Sequence, residues 1–505
     1  MLPDLLFVPV LIAYLSILAL LFCYGINFVY LTVLAVRTSG RRPPALIPTI
    51  WPHVTVQLPI YNELYVARRL IEAVARIDYP RDRLEIQVLD DSTDETSEIV
   101  AELVSRWRGR GVHIRHVRRG TRDGFKAGAL ERGLTFAKGE LIAIFDADFV
   151  PARDFLRQTV PVLVADPDLA FVQARWGHTN RDFSLLTKLQ ALSIDGHFAI
   201  EQAGRWAGGQ WFNFNGTAGL WRRTALVDAG GWEHDTLTED LDVSYRAFLS
   251  GWRAAYLRQL EAPAELPVSF NAYRQQQHRW ARGSFECAIK HLPAIWHSNI
   301  PLSRKISATL HLTGYSIHLL LLALSLLYPF LLVVSASYPV VFSLFGIMAI
   351  FNLTTLAPTV LFTIGQRQLG RRWIAEIPTV LMLSGLGAGM MVNTARAAWQ
   401  AFGGRPAPFE RTPKFGVRHR HEDWLRLRYQ LGVDRIVGVE LALAALNLTT
   451  CWMALSRQSW AIALYTAIFA VGLLSAVALT VGQTLRTAAA ARERRATEVA
   501  PGQGA

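Results

Sequence analysis

The chain predicts an α/β domain built around a parallel sheet, joined to an α-helical transmembrane region. Three observations carry this. Between residues 50 and 260, short apolar runs alternate with amphipathic helical patterns, as in a sheet with crossover helices. Outside that stretch lie five apolar windows, 5–36, 307–334, 338–365, 436–455 and 459–485, and the first, third and fifth contain no charged residue. Within the α/β stretch, Leu141–Phe145 is too short for a helix and runs straight into two carboxylates, Asp146 and Asp148, the pattern of a buried strand with a polar tip.

Taken in order, His53–Ile60 is a first strand, and Tyr61-Asn62-Glu63 leads into a helix over 64–76. Leu84–Leu89 is a second strand ending at Asp90-Asp91-Ser92, followed by a helix over Thr93–Trp107. Val112–Val117 is a third strand, Gly120–Phe125 a polar loop, and Lys126–Ala137 a helix that precedes the Asp146/Asp148 strand. On an extended backbone these two acids project to one side and repel unless a cation or a shared proton lies between them. Open α/β sheets bind ligands beyond the carboxyl ends of their strands. Here those ends present Tyr61, Glu63, Asp90, Asp91, Asp146 and Asp148, with Arg118, Arg119, Arg122 and Lys126 from the neighbouring loop. Acids for a hard cation beside bases for phosphate describe a nucleotide-diphosphate site with Mg²⁺ or Mn²⁺. No Walker-type Gly-rich loop and no G-x-G-x-x-G follow the first strand, which argues against ATP hydrolysis and dinucleotide chemistry.

Further on, the run Asp235 to Asp242 opens a helix that reaches about Ser250. Two readings fit: Thr238 as N-cap with acids favoured in the first turn, or one carboxylate held over a cleft as a general base. Gln275–Arg282 lies on a helical pattern leading towards the membrane, where Trp and Arg also serve as interfacial anchors.

Of the 505 residues 51% are hydrophobic and 18% charged, so a membrane class is tested first. The first window is 32 residues long, about 48 Å as a helix against a hydrocarbon core of about 30 Å, so it reads as an anchor. The net charge of +12 does not point to nucleic acid, because the arginines cluster beside the apolar windows and report topology. They place the N-terminus outside, and residues 37–306 and the C-terminus in the cytoplasm of a multi-pass inner (plasma) membrane protein. Letting 373–393 cross would export nine Lys/Arg between 396 and 435, so 373–402 reads as an interfacial or re-entrant helix and the true spans number five. Cys23, Cys287 and Cys451 are too scattered for a zinc site or a disulfide framework. The expected organisation is an anchor over 1–42, a cytoplasmic domain over 43–268, interfacial helices over 269–306, two spans over 307–365, an interfacial helix over 366–402, a loop and linker over 403–432, two spans over 433–485 and a tail over 486–505.

With these residues assembled, the chain resembles the family 2 inverting glycosyltransferases of the cellulose synthase superfamily, and within it the cellulose synthase-like mannan and glucan synthases. The resemblance runs over roughly 50–415 and rests on Pro59-Ile60-Tyr61-Asn62-Glu63, Asp90-Asp91-Ser92, Lys126-Ala127-Gly128-Ala129, Asp146-Ala147-Asp148, Thr238-Glu239-Asp240 and Gln276-x-x-Arg279-Trp280. Phe214-Asn215-Gly216-Thr217-Ala218-Gly219 and Phe409-x-Arg411-Thr412-Pro413-Lys414 are nearer to the mannan/glucan branch. The resemblance implies a GT-A-like, Rossmann-related nucleotide-sugar-binding fold. It implies that Tyr61, Glu63 and Asp90 face the nucleoside, Asp91 the ribose and diphosphate, and Lys126 the phosphates or donor sugar. Asp146 and Asp148 would share the metal, and Asp240 would be the catalytic base. Arg279 would steady the departing diphosphate, and Gln276 and Trp280 would hold the acceptor glycan. Residues 403–414, with Thr412 and Lys414, resemble a loop that closes over the donor. Bacterial cellulose synthases often add a domain that senses cyclic di-GMP; only about 20 residues follow the last window here, so any such regulation would have to come from a partner.

The expected activity is processive polymerisation of a hexose from GDP-mannose or UDP-glucose into a β-1,4-linked polysaccharide that the protein translocates, with room for a membrane or periplasmic partner in export. The alternative is transfer of one sugar to a membrane lipid such as diacylglycerol. A transporter or nucleotide receptor is disfavoured, since the windows hold few ionisable groups (His311, His318 and Glu440).

Overall fold

The computed structural model describes residues 2–338, 356–404 and 410–499. Its α/β part holds one seven-stranded sheet in the order β3-β2-β1-β4-β6-β5-β7. The strands are β1 (Val54–Ile60), β2 (Leu84–Asp90), β3 (Ile114–Arg118), β4 (Leu141–Ile144), β5 (Leu169–His178), β6 (Gly219–Arg222) and β7 (Arg253–Ala264). The first four are parallel, and so are β5 and β7, but β6 runs antiparallel between β4 and β5. The sheet is therefore mixed, not parallel throughout. Its reversal follows from the chain path: the long excursion through 179–218 returns to the sheet from the end of β4 at which the acids sit. Ile144 pairs with Gly219 and Leu141 with Arg222, and the Gly216-Thr217 loop is delivered beside Asp146.

The connecting helices α2 (Ala67–Val74), α3 (Thr96–Gly109), α4 (Phe125–Phe136) and α5 (Phe155–Ala165) cover both faces. Period-two alternation assigns side chains to those faces. Val56, Leu58, Ile86 and Val88 pack with Leu70, Leu103 and Val160 on one side. Leu89, Ile142, Ile144 and Trp221 pack with Leu130, Val243 and Tyr245 on the other. Next come α6 (Leu185–Gly196), a π-helical turn His197–Gln202, α7 (Ala203–Ala207), α8 (Arg223–Asp228), α9 (Glu239–Leu249) and α10 (Phe270–His297). The expected helix from Asp235 begins four residues later. Thr238 occupies its N-cap position, but its side chain makes no capping hydrogen bond, contrary to the capping reading.

Among the described residues, four helical segments are long and apolar enough to cross a membrane: Phe7–Arg37, Ser316–Ser335, Val437–Ser456 and Trp460–Glu493. Large apolar side chains such as Ile12, Leu20, Phe330, Leu441 and Leu464 stay exposed on them, as expected where lipid is the solvent. Most of the expected span 338–365 lies outside the described residues; only its end is seen, as Ala357–Gln368. Segment 373–402 is not one helix but two, Trp373–Gly389 and Met391–Phe402, bent by 45°. The first turn of α10 is tied to these apolar helices. Arg274 Nη2 lies 3.0 Å from Glu440 Oε2, both side chains being buried, and the Phe270 N–H donates to Gln483 Oε1 at 2.6 Å.

Candidate active site

The carboxyl ends of β1, β2 and β4, the start of α9 and the middle of α10 converge on one cleft, closed on its open side by residues 411–414. It brings together Tyr61, Glu63, Asp91, Lys126, Asp146, Asp148, Asp240, Gln276, Arg279, Trp280, Thr412 and Lys414. Asp90 does not line it. As the last residue of β2, it shares the face of Ile86 and Val88 and points away from Asp91. There it is buried, accepting the Ser92 N–H at 2.9 Å and pairing with His116 Nε2 at 2.8 Å. Burial opposes its charge, but the His116 and Ser92 hydrogen bonds prevail and hold its carboxyl at about 2.

Asn62, in the left-handed region at φ 54°, joins the first two strand ends. Its N–H donates to Ser92 Oγ at 2.9 Å, and its side-chain oxygen accepts the Thr93 N–H at 2.8 Å. Arg119 forks onto Asp91 (Nε to Oδ1, 2.9 Å), and the Arg122 guanidinium lies 3.5 Å from the centre of the Tyr61 ring.

Strand β4 ends at Ile144, before the acids, so Asp146 and Asp148 sit in a turn closed by the Phe149 N–H on the Asp146 carbonyl at 3.0 Å, not on an extended edge. Each meets a different lysine: Lys126 Nζ is 2.8 Å from Asp146 Oδ1, and Lys414 Nζ is 2.6 Å from Asp148 Oδ2. Lys126 also lies 3.3 Å from Glu239 and donates to the Gly216 carbonyl at 3.0 Å. Gly216 takes φ +78°, and a Cβ there would stand 3.0 Å from Asp240 Oδ2 and 3.1 Å from Lys126 Nζ, so only glycine lets this loop pass so close. Burial works against the Lys126 ammonium, yet Asp146, Glu239 and Asp240 outweigh it and raise its pKa. Burial pushes the Asp146 carboxyl up; Lys126 pulls it down, while Asp148 and Glu239 push it up further. Mutually repelling oxygen donors of this kind fit a hard divalent cation. Another acidic group, Glu233, Asp235 and Asp242, lies off the cleft and already surrounds the Lys290 ammonium.

Asp240 stands half-buried in the first turn of α9. Burial and then Glu239 push its carboxyl up to about 7, against the pull of Lys126 and backbone N–H groups. Burial lowers the pKa of Arg279, and Glu239, Asp146, Asp240 and Asp148 hold it up, so this guanidinium faces four cleft carboxylates. Trp280 stands beside Trp176, their ring centres 6.4 Å apart. The described part of the closing segment is docked: Arg279 Nη1 donates to the Glu410 carbonyl at 2.9 Å and Arg411 pairs with Glu63 at 3.4 Å. The buried Thr412 hydroxyl has no hydrogen-bond partner among the described residues. Phe409, part of the same motif, lies outside them.

Sequence reasoning assigned no role to Glu239, Glu265, Arg411 or Trp176, all of which line the cleft. Glu265 Oε1 accepts the Phe415 and Gly416 N–H groups at 2.8 and 3.0 Å, which docks the closing segment. A lone acid just past a strand carried no pattern, whereas Glu239 and Arg411 lay inside quoted motifs.

Residues 52–283 match the family described as "Glycosyltransferase like family 2". Over 237 residues the chain is 48% identical to "Glucomannan 4-beta-mannosyltransferase 9" of Arabidopsis thaliana, covering 46% of this chain and 44% of that protein. It is 41% identical over 303 residues to "Glucomannan 4-beta-mannosyltransferase 1" of Oryza sativa subsp. japonica, covering 57% and 58%. The chain thus spans about half the length of the curated relatives it matches. Among solved structures it is similar to a mannosyltransferase from Pyrobaculum calidifontis in complex with GDP-Man and Mn²⁺, at 24% identity and TM-score 0.49, over 77% of this chain and 98% of that one. Residues 52–283 thus match a family 2 glycosyltransferase model, in a chain similar over about half its length to glucomannan 4-beta-mannosyltransferases.

Proposed function

We propose that the protein is a membrane-embedded, processive, inverting hexosyltransferase. It extends a β-1,4-linked polysaccharide from a nucleotide diphosphate sugar and passes the product through its own apolar helices. The carrying observation is the arrangement of Asp240, with its carboxyl raised to about 7, in one cleft with Lys126, Arg279 and Trp280. Mannose is the first choice of sugar, on the names of the relatives. Asp240 accepts the proton of the acceptor hydroxyl as its oxygen attacks the anomeric carbon. The bond to the leaving diphosphate breaks on the opposite face, and the configuration inverts. Arg279 and Lys126 face the charge that develops on the leaving group. A Mg²⁺ or Mn²⁺ held by Asp146 and Asp148 would neutralise the diphosphate.

The enclosed space is about 180 Å³, below the roughly 300–1,000 Å³ of pockets for drug-sized ligands. Arg411 and Lys414 line this space, paired with Glu63 and Asp148. The test is to supply the purified protein with GDP-mannose or UDP-glucose and Mg²⁺ or Mn²⁺, with membrane lipid present, and to analyse product linkage. A 1,4-linked polymer is expected; a lipid carrying one sugar and no polymer would replace this reading with the lipid-transferase one.

Processivity needs an acceptor grip that slides, and an aromatic face provides one because stacking is weakly directional. Trp280→Ala is therefore expected to retain donor hydrolysis while polymer collapses to very short products, measured by gel filtration of labelled glycan. Unchanged product length would leave Trp280 as a packing partner of Trp176. The cytoplasmic placement of the domain predicts that a cysteine at Gly404 reacts only with reagents that reach the cytoplasm.

A further inference from the structure

Thr238 supplies no side-chain cap to the first turn of α9, which carries Asp240; within the helix, Arg246 holds Asp242 and the Ser244 hydroxyl donates to the Asp240 carbonyl. One stripe of α10 fixes it from outside. Glu286 accepts the Leu237 N–H at 2.8 Å and is itself held by Arg282 at 2.7 Å. Cys287 Sγ lies 3.5 Å from Thr238 Oγ1. Lys290 Nζ sits 2.6 Å from Glu233 and 2.8 Å from both Asp235 and Asp242. His291 Nε2 pairs with the fully buried Asp242 at 2.8 Å. At Gly283 the Thr238 side chain lies so close to α10 that a Cβ would meet its Oγ1 and Cγ2 at 2.5 Å. These positions repeat at three- and four-residue intervals, which places them on a single helix face. None of them lines the cleft, yet the same helix presents Gln276, Arg279 and Trp280 to it.

We propose that the 283–291 face of α10 is a positioning device for the transfer reaction. It fixes Asp240 relative to Arg279 and Trp280, so that one rigid helix sets the spacing between proton acceptor, leaving group and acceptor sugar. This rests on the reading of Asp240 as the base. A base must come within about 2.6–3.2 Å of its proton, and a displacement of about 1 Å costs on the order of 10²-fold in rate. The three acids around Lys290 are then a socket for its ammonium, holding the segment before α9 against α10.

The test compares Gly283→Ala, His291→Ala, His291→Gln and Asp240→Asn in the full-length protein. It measures kcat, KM for the nucleotide sugar and donor affinity by calorimetry. Gly283→Ala and His291→Ala are expected to lower kcat about 10- to 100-fold while donor affinity stays within about twofold. His291→Gln, whose amide N–H can replace the Nε2 contact, is expected to recover most of the rate. Wild-type kcat in Gly283→Ala and His291→Ala, or a parallel loss of donor affinity, would overturn the proposal, the latter by showing a purely structural role. Asp240→Asn separates the two ideas. If it turns over normally the base reading fails, and if it is inactive while the α10 variants are normal, only the positioning device fails.

Discussion

Asp240→Asn is expected to lower turnover by about 10²–10⁴-fold, the usual worth of general-base assistance, with donor binding intact because Asp146 and Asp148 are untouched. The wild-type profile of kcat/KM against pH should fall on the acid side of about 7, where the Asp240 carboxyl takes up a proton. The same shift has a stability consequence of fixed sign. Folding raises this carboxyl above the value of about 3.9 for a free aspartate, so it favours the protonated form. The contribution is complete below that value and lost as pH rises through about 7. The neutral asparagine avoids that loss, so thermal unfolding at pH 7.5 should show no decrease in Tm. A variant that turns over at near wild-type rate, or one that melts earlier and loses donor binding with it, would remove Asp240 from the chemistry.

The second large effect concerns the cation. Asp146→Asn and Asp148→Asn should each lower turnover by about 10²–10³-fold, the loss that follows removal of one group stabilising developing charge. Chelation should silence the wild type, and Mg²⁺ or Mn²⁺ should restore it. Because Asp148 also holds Lys414, its variant confounds metal loss with loosening of the closing segment. Lys414→Ala separates them: it keeps both carboxylates, so its residual activity must still vanish on chelation. Full activity of the wild type in EDTA would end the metal assignment.

The parallel half of the sheet was legible because each strand there is a short apolar run with a polar tip, and the tips carry the cleft residues. Strand β6 was not. Its four residues, Gly219–Arg222, the first three of them buried, pair antiparallel with β4 and β5, and a run of that length carries no mark of its direction. Asp90 and Asp91 were both placed at the site, on the nucleoside and on the ribose and diphosphate, but alternation along β2 sends Asp90 to the helical layer under the sheet and Asp91 to the cleft. Thr238 fitted the cap pattern, and its side chain went instead to Cys287 on α10, a contact 49 residues distant in sequence. The Asp146/Asp148 pair was found by position, while its lysine partners came from α4 and from a segment more than 260 residues away. Such pairings are set by tertiary packing and leave no local trace.

The buried Arg274–Glu440 contact bears on how this protein can be taken apart. A cut after His297 would leave the cleft residues of the sheet and of α10 in one piece, a tempting route to a water-soluble fragment. It would also strip Glu440 from a guanidinium with almost no solvent access. The same cut removes the helix whose Ala397, Ala398 and Ala401 cover Ala281 and Phe285 of α10, so an apolar face would meet water. Gln483, which accepts the Phe270 N–H, would go with it. Such fragments should therefore misfold or aggregate at the helix that carries Arg279 and Trp280.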